Sequence, residues 1–145
     1  MKQYFAAIIE DDPDYTRYLE ECLTRYGTEH DCAFQVRAFG RAEAFLADGR
    51  GMDDIVFMDV DLGDGWMNGM EAARVLRERG SMAVLFFVTN VPQYAPDGYE
   101  VDAIDYCLKP INYSSLLVKL DKAIRMPTRW VSIRIALSSF TNRLL

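Results

Sequence analysis

Four sets of polar residues in this 145-residue chain each stand at the end of a strand-like run. Glu10-Asp11-Asp12 follows Phe5 to Ile9, Asp59 closes Ile55-Val56-Phe57-Met58, Thr89 follows Ala83 to Val88, and Lys109 follows Ala103 to Leu108. If those runs are neighbours in one sheet, their ends converge. Carboxylates gathered in that way repel: two unit charges about 4 Å apart interact by about 4 kcal/mol at an effective dielectric of about 20. A hard divalent cation relieves this, and oxygen ligands with room for water favour Mg²⁺ over zinc. With Lys109 as a second positive charge and Thr89 as a hydrogen-bonding hydroxyl, the set holds the parts for phosphoryl transfer to a carboxylate, with Asp59 as nucleophile. Taken singly, each residue has a plainer role as solvated helix start, turn residue or surface lysine. Their joint placement at four strand ends raises the chemical reading above these.

The elements that must position these residues alternate. Tyr4 to Ile9 reads as a strand, and Pro13 sits where a first-turn proline is tolerated. Tyr15, Tyr18, Leu19, Cys22, Leu23 and Tyr26 recur at helical spacing up to Gly27, which is expected to end that helix. A second strand spans Phe34 to Phe39, with Phe34, Val36 and Ala38 on one face, and a short helix runs from Arg41 to Leu46. Asp54 to Asp59 holds four unbroken apolar residues between two acids, as a central strand covered on both faces would. Asn68-Gly69 opens a helix with Ala72, Val75 and Leu76 inward, Arg74, Arg77, Glu78 and Arg79 outward, and Gly80 after it. Ala83 to Val88 is strand four, Pro92 to Tyr99 a weaker helix, Ala103 to Leu108 strand five. Leu116, Leu117, Leu120 and Ile124 mark the last helix. Such alternation predicts an α/β fold, a doubly wound sandwich.

Composition bounds the partners. The net charge of −6 divides unevenly: residues 1–125 hold 13 Lys/Arg against 22 Asp/Glu, a balance of −9, and residues 126–145 hold three Arg and no acid. An acidic body is a poor surface for a nucleic-acid backbone, so no DNA binding by this chain alone is expected. Cys22, Cys32 and Cys107 have neither disulfide nor zinc-site spacing. Cys22 and Cys107 read as buried thiols in a reducing cytoplasm. No stretch suits a signal peptide or a membrane span.

Over about residues 3–125 the sequence resembles the receiver domain of bacterial two-component response regulators. The likeness lies in Ile8-Ile9-Glu10-Asp11-Asp12, Phe57-Met58-Asp59, Asn68-Gly69-Met70-Glu71, Val88-Thr89 and Tyr106-Cys107-Leu108-Lys109-Pro110. It implies a flavodoxin-like (βα)5 fold with a parallel sheet in the order 2-1-3-4-5, and Asp59 as acceptor of phosphate from a sensor histidine kinase. Mg²⁺ would be bound by Asp11, Asp12, Asp59 and the main-chain carbonyl of Asp61. Lys109, before a cis Pro110, would be the phosphate's partner, and Thr89 and Tyr106 the switch pair. The readout surface would comprise the fourth helix, fifth strand and fifth helix. Beyond self-phosphotransfer and self-dephosphorylation, no enzyme activity is implied. The runs Thr89 to Ala95 and Gly98 to Tyr106 look most like regulators with a LytTR-type DNA-binding output domain, which suggests transcriptional control.

Two stretches depart from that pattern. The loop from Asp59 to Gly69 is longer than usual in the family and carries Trp66, either exposed at the site's rim or folded onto it, and Asp61 and Asp64 as further acids near the metal, Asp61 contributing through its backbone and Asp64 solvated. Residues 126–145 are too few to build an independent core; Val131, Ile133 and Ile135 alternate like a strand, and Leu137, Phe140, Leu144 and Leu145 fit a helix. This tail reads as a truncated output domain, a linker or a dimer element, with a homodimer through the tail or the readout face. Asp59-Val60-Asp61 also resembles the nucleophile motif of haloacid-dehalogenase-type phosphatases, but about fifty residues precede it here, whereas that motif belongs on an early strand. A flavin-binding relative of the same sheet should offer Ser, Thr and Gly after strand one; Glu10-Asp11-Asp12 would repel its phosphate.

Overall fold

The computed structural model describes residues 1–49, 52–92, 101–103 and 105–125. Its strands are β1 (Lys2–Ile9), β2 (Cys32–Phe39), β3 (Ile55–Met58), β4 (Val84–Thr89) and β5 (Asp105–Leu108). The helices are α1 (Pro13–His30), α2 (Ala42–Asp48), α3 (Gly69–Glu78) and α4 (Tyr113–Arg125). All strand pairs are parallel, in the order β2-β1-β3-β4-β5, as expected. The expected helix from Pro92 to Tyr99 lies, beyond Pro92, outside the described residues; so does the tail 126–145.

The pleat sends alternate side chains to opposite faces, and two cores result. Ala6 and Ile8 of β1, Ile55 and Phe57 of β3, and Phe86 and Val88 of β4 pack with Leu19, Cys22 and Leu23 of α1 and Leu116, Leu120 and Ala123 of α4. Ala7, Ile9, Val56, Met58, Leu85 and Phe87 pack on the other side with Phe45 of α2 and Met70, Ala73 and Leu76 of α3. Strands buried on both faces explain the unbroken apolar runs. Each large side chain so buried stabilises the fold by about 1.5–3 kcal/mol.

Local chemistry sets the helix ends, sometimes against expectation. Asp12 caps α1, its side chain accepting from Asp14 N at 3.0 Å, with Pro13 in the first turn. Gly27 does not end the helix. It is buried within it, where a Cβ would lie 2.5 Å from the Cys32 carbonyl oxygen, so it lets α1 press against the start of β2. The helix ends instead at Asp31, in the left-handed conformation with φ 52°. Arg77 also departs from the outward reading of its helix: its guanidinium donates to the carbonyls of Ser81, Ala83, Val101 and Asp102, binding the foot of β4 to the chain that leads into β5. Of the two acids that bracket β3, Asp54 is at the foot of the sheet, accepting from Phe5 N at 2.8 Å. Only Asp59 reaches the carboxyl edge.

Candidate functional site

The carboxyl ends of β1, β3 and β5 meet in a charged cluster. Lys109 Nζ donates to Asp59 Oδ2 at 2.9 Å and also to Glu10 Oε1. All three are withdrawn from solvent, with side-chain exposures of 9% for Lys109, 6% for Asp59 and 3% for Glu10. Asp59 is thus a buried carboxylate. Backbone bonds place it and its neighbours: Asp59 N donates to Ile9 O at 2.9 Å, Glu10 N to Phe39 O at 2.9 Å, and Lys109 N to Thr89 O at 2.8 Å. The ends of β2, β1 and β3 are thereby fixed to one another, and that of β5 to β4.

Of the carboxylates expected to bind metal, the structure brings Asp11 and Asp59 together, and Glu10 with them. Glu10, Asp11 and Asp59 can bring carboxylate oxygens within 4.8 Å of one another, with Asp11 on the solvent side. Asp12, expected in this role, is the exposed cap of α1. The Asp-Pro step explains why: an acid directly before a first-turn proline sits where the helix's free N–H groups need an acceptor. Glu10 stands among the residues expected at the edge, without a place in the expected metal set; its sequence signal is the same Asp-Pro step, which leaves Glu10-Asp11 as the acidic pair not used by the helix cap.

The electrostatics fit a further cation. Burial pushes the Glu10 carboxyl up to about 8, and Asp59 pushes it the same way against the opposing pull of Lys109. A hard divalent ion bound by oxygens would favour the ionised form of such a carboxyl and offset its burial. Asp61 is held beside the cluster by its main chain: Asp61 N donates to Asp59 Oδ1 at 3.1 Å, while its own carboxylate accepts from Gly63 N at 3.1 Å and so turns into the loop.

Thr89 and Tyr106 form a second group, joined through Val91. The fully buried Thr89 accepts from Val91 N through Oγ1 at 3.3 Å, and the half-buried Tyr106 donates through its hydroxyl to Val91 O. The Tyr106 ring lies 5.5 Å from that of Phe87, so it packs with the α2 and α3 side of the sheet. Thr89 meets the cluster through its carbonyl bond to Lys109 N.

The long loop is ordered by specific contacts. Arg41 Nη1 donates to Leu62 O at 2.7 Å and its guanidinium lies 4.8 Å from the Trp66 ring centroid. Trp66 keeps 52% of its surface exposed at the rim, and Asp64 is exposed. At the loop's end Gly69 N donates to Val60 O at 2.8 Å, and a Cβ on Gly69 would fall 2.0 Å from Asp59 O. Only glycine lets α3 start this close to the acidic residue. Asn68 caps that helix, accepting from Glu71 N at 2.9 Å.

Comparison with known proteins agrees with this arrangement. The LytT sensory transduction protein of Bacillus cereus is 41% identical over 69 residues, which are 48% of this chain and 27% of that protein. A response regulatory protein of Yersinia pestis is 33% identical over 118 residues, 81% of this chain and 48% of that protein. The structure of DrrB from Thermotoga maritima, an OmpR/PhoB homologue, matches at 25% identity and a TM-score of 0.70, covering 86% of this chain and 54% of that one. TrrA of the same organism, solved with Mg²⁺ and beryllium fluoride, shares the fold at 23% identity and a TM-score of 0.69 over 85% of this chain and 99% of that one. The chain thus spans half or less of the length of these two curated relatives, and none of these matches supports the phosphatase alternative. The model of the response regulator receiver domain matches residues 6–121, and with its edge of acids, lysine and threonine on a 2-1-3-4-5 parallel sheet the chain belongs to that family of two-component signalling domains.

Proposed function

We propose that Asp59 is the phosphoacceptor and that its phosphorylation is the input this domain reads. The observation that carries the reading is the buried Asp59 carboxylate held at 2.9 Å by the Lys109 ammonium. An Asp59 oxygen attacks phosphorus of a phosphohistidine on a sensor kinase. The P–N bond breaks, and its electron pair leaves on the imidazole nitrogen, which then takes a proton. Lys109 exchanges part of its bond to Asp59 for one to the phosphoryl oxygens, and Thr89 offers its hydroxyl to another. Glu10, Asp11 and Asp59, with the main-chain carbonyl of Asp61, would hold Mg²⁺, which supplies charge neutralisation of the transferring group. Self-phosphorylation from small phosphodonors and self-dephosphorylation use the same groups.

Phosphorylation adds roughly −2 charges at Asp59. Drawing the Thr89 hydroxyl toward them breaks its bond to Val91 N, and Val91 O is the acceptor of Tyr106. The two switch residues thus share one peptide segment whose two arrangements the phosphate biases. In this reading the protein is cytoplasmic and its output is on transcription; the output is supported by the name of a relative, the transcriptional regulatory protein LytR of Staphylococcus aureus, 29% identical over 117 residues. The test is incubation with Mg²⁺ and acetyl phosphate, followed by intact mass. Wild type is expected to gain one phosphoryl group and Asp59→Asn none; equal responses would refute the assignment.

A further inference from the structure

The least expected neighbour of the site comes from the first turns of α1. The Tyr15 ring centroid lies 4.4 Å from Lys109 Nζ, and the Tyr15 hydroxyl accepts from Ile111 N at 3.1 Å. On the next turn of α1, the Tyr18 hydroxyl donates to Ile111 O at 2.6 Å. Two tyrosines therefore hold both polar groups of the residue two places after Lys109, while Lys109 N is tied to Thr89 O on the other side. The lysine's backbone is pinned at its own amide and two residues further on, and its ammonium has an aromatic face as a third neighbour besides Glu10 and Asp59.

We propose that Tyr15 is a positioning residue for Lys109, its ring facing the ammonium while its hydroxyl fixes the ring to the Lys109–Ile111 turn. The proposal rests on the reading that Lys109 contacts the incoming phosphoryl group. A lysine side chain has four flexible carbons and a strongly hydrated head. At 9% side-chain exposure the head has little water left, and an aromatic face within about 6 Å attracts a desolvated ammonium. When Asp59 becomes an acyl phosphate, one of the two anionic partners of Nζ is replaced by oxygens farther along the chain of bonds. The ring is unchanged by the reaction, so it limits where the ammonium can go and lowers the cost of the shift. Tyr15 touches no reacting atom and acts through the lysine.

Purified full chain with Mg²⁺ and acetyl phosphate, followed by intact mass over time, tests this. At saturating acetyl phosphate the phosphorylation rate of Tyr15→Leu is expected to fall about tenfold, an effect within the reach of one desolvated cation–π contact. Its half-saturating concentration should stay near that of wild type, since the donor itself does not meet Tyr15. Tyr15→Phe, which keeps the ring and loses the tether to Ile111 N, should fall between the two. In a Lys109→Gln background, Tyr15→Leu should cause no further loss, and thermal melts of each variant report folding separately. A folded Tyr15→Leu as fast as wild type, or an equal loss with Lys109 already removed, overturns the proposal. A wild type that takes up no phosphoryl group overturns the reading beneath it as well, so the two failures are distinguishable.

Discussion

Glu10 and Asp12 are two residues apart and chemically similar, yet they do different work. Glu10 is 5% exposed, bonded to Lys109 and close to Asp59; Asp12 faces solvent and bonds Asp14 N. Replacing Asp12 by Ala should cost about 1 kcal/mol of stability, the value of a lost helix cap, while leaving Mg²⁺ affinity nearly unchanged. Glu10→Gln should weaken Mg²⁺ at least about tenfold, since it removes one anionic ligand from a small set. Tryptophan fluorescence during Mg²⁺ titration reads both, and similar losses in the two variants would contradict the assignment. pH gives an independent check. The folded-state carboxyl titrates near 8 against an ordinary 4.5, so between those values the unfolded chain releases the proton more readily. Metal-free stability should therefore decline from about pH 4.5 to about pH 8 through this group, and Mg²⁺ affinity should rise over the same window, because the metal needs the ionised form. Glu10→Gln should flatten both slopes.

Among the elements, the junction of β3 and α3 is the most tightly constrained. Asp59 and Gly69 are ten residues apart in sequence, but the helix begins against the Asp59 carbonyl. A methyl group at Gly69 must push α3 outward or displace Asp59. Gly69→Ala is expected to cost about 1–3 kcal/mol by overpacking, measured by urea denaturation, and to slow phosphorylation more than Asn68→Ala, which removes only a cap. A Gly69→Ala protein with wild-type stability and rate would show that the approach is not needed. The motif Asn68-Gly69 was recognisable, but its reason was not: a sequence gives no distance between a helix start and another strand's carbonyl. Gly27 teaches the same point with the opposite sign. It reads as a helix stop because glycine often is one, whereas here the packing of α1 on β2 requires the missing side chain.

On the scale of the molecule, charge and the exposed apolar side chains govern what the domain can meet. The body carries −9 over residues 1–125, and among the described residues no helix is long and apolar enough to cross a membrane. Leu108 of β5 and Val118 of α4 are 52% and 68% exposed, on the two described elements of the expected readout face. We propose that these side chains, with the basic and apolar residues of the tail sequence, take part in a homodimer. Sedimentation of the chain with and without residues 126–145, each with and without Mg²⁺ and beryllofluoride, should show a dimer that weakens when the tail is removed. A monomer under every condition would exclude both the tail and the readout face as dimer elements at the concentrations used.

The sequence by itself determined the layers and the chemistry available at one edge. Apolar runs of strand length alternating with amphipathic stretches admit few arrangements, and the residues after those runs are necessarily at strand ends. Asp59, Lys109 and Thr89 were legible for that reason. Tertiary structure alone decided which carboxylates face one another, that Arg77 turns inward to four carbonyls, and that Tyr15 lies against Lys109 across 94 positions of chain. Periodicity tells which face of an element a residue occupies. Contact between side chains depends also on the twist of the sheet and the closeness of its helices, which packing fixes only when the whole chain is in place.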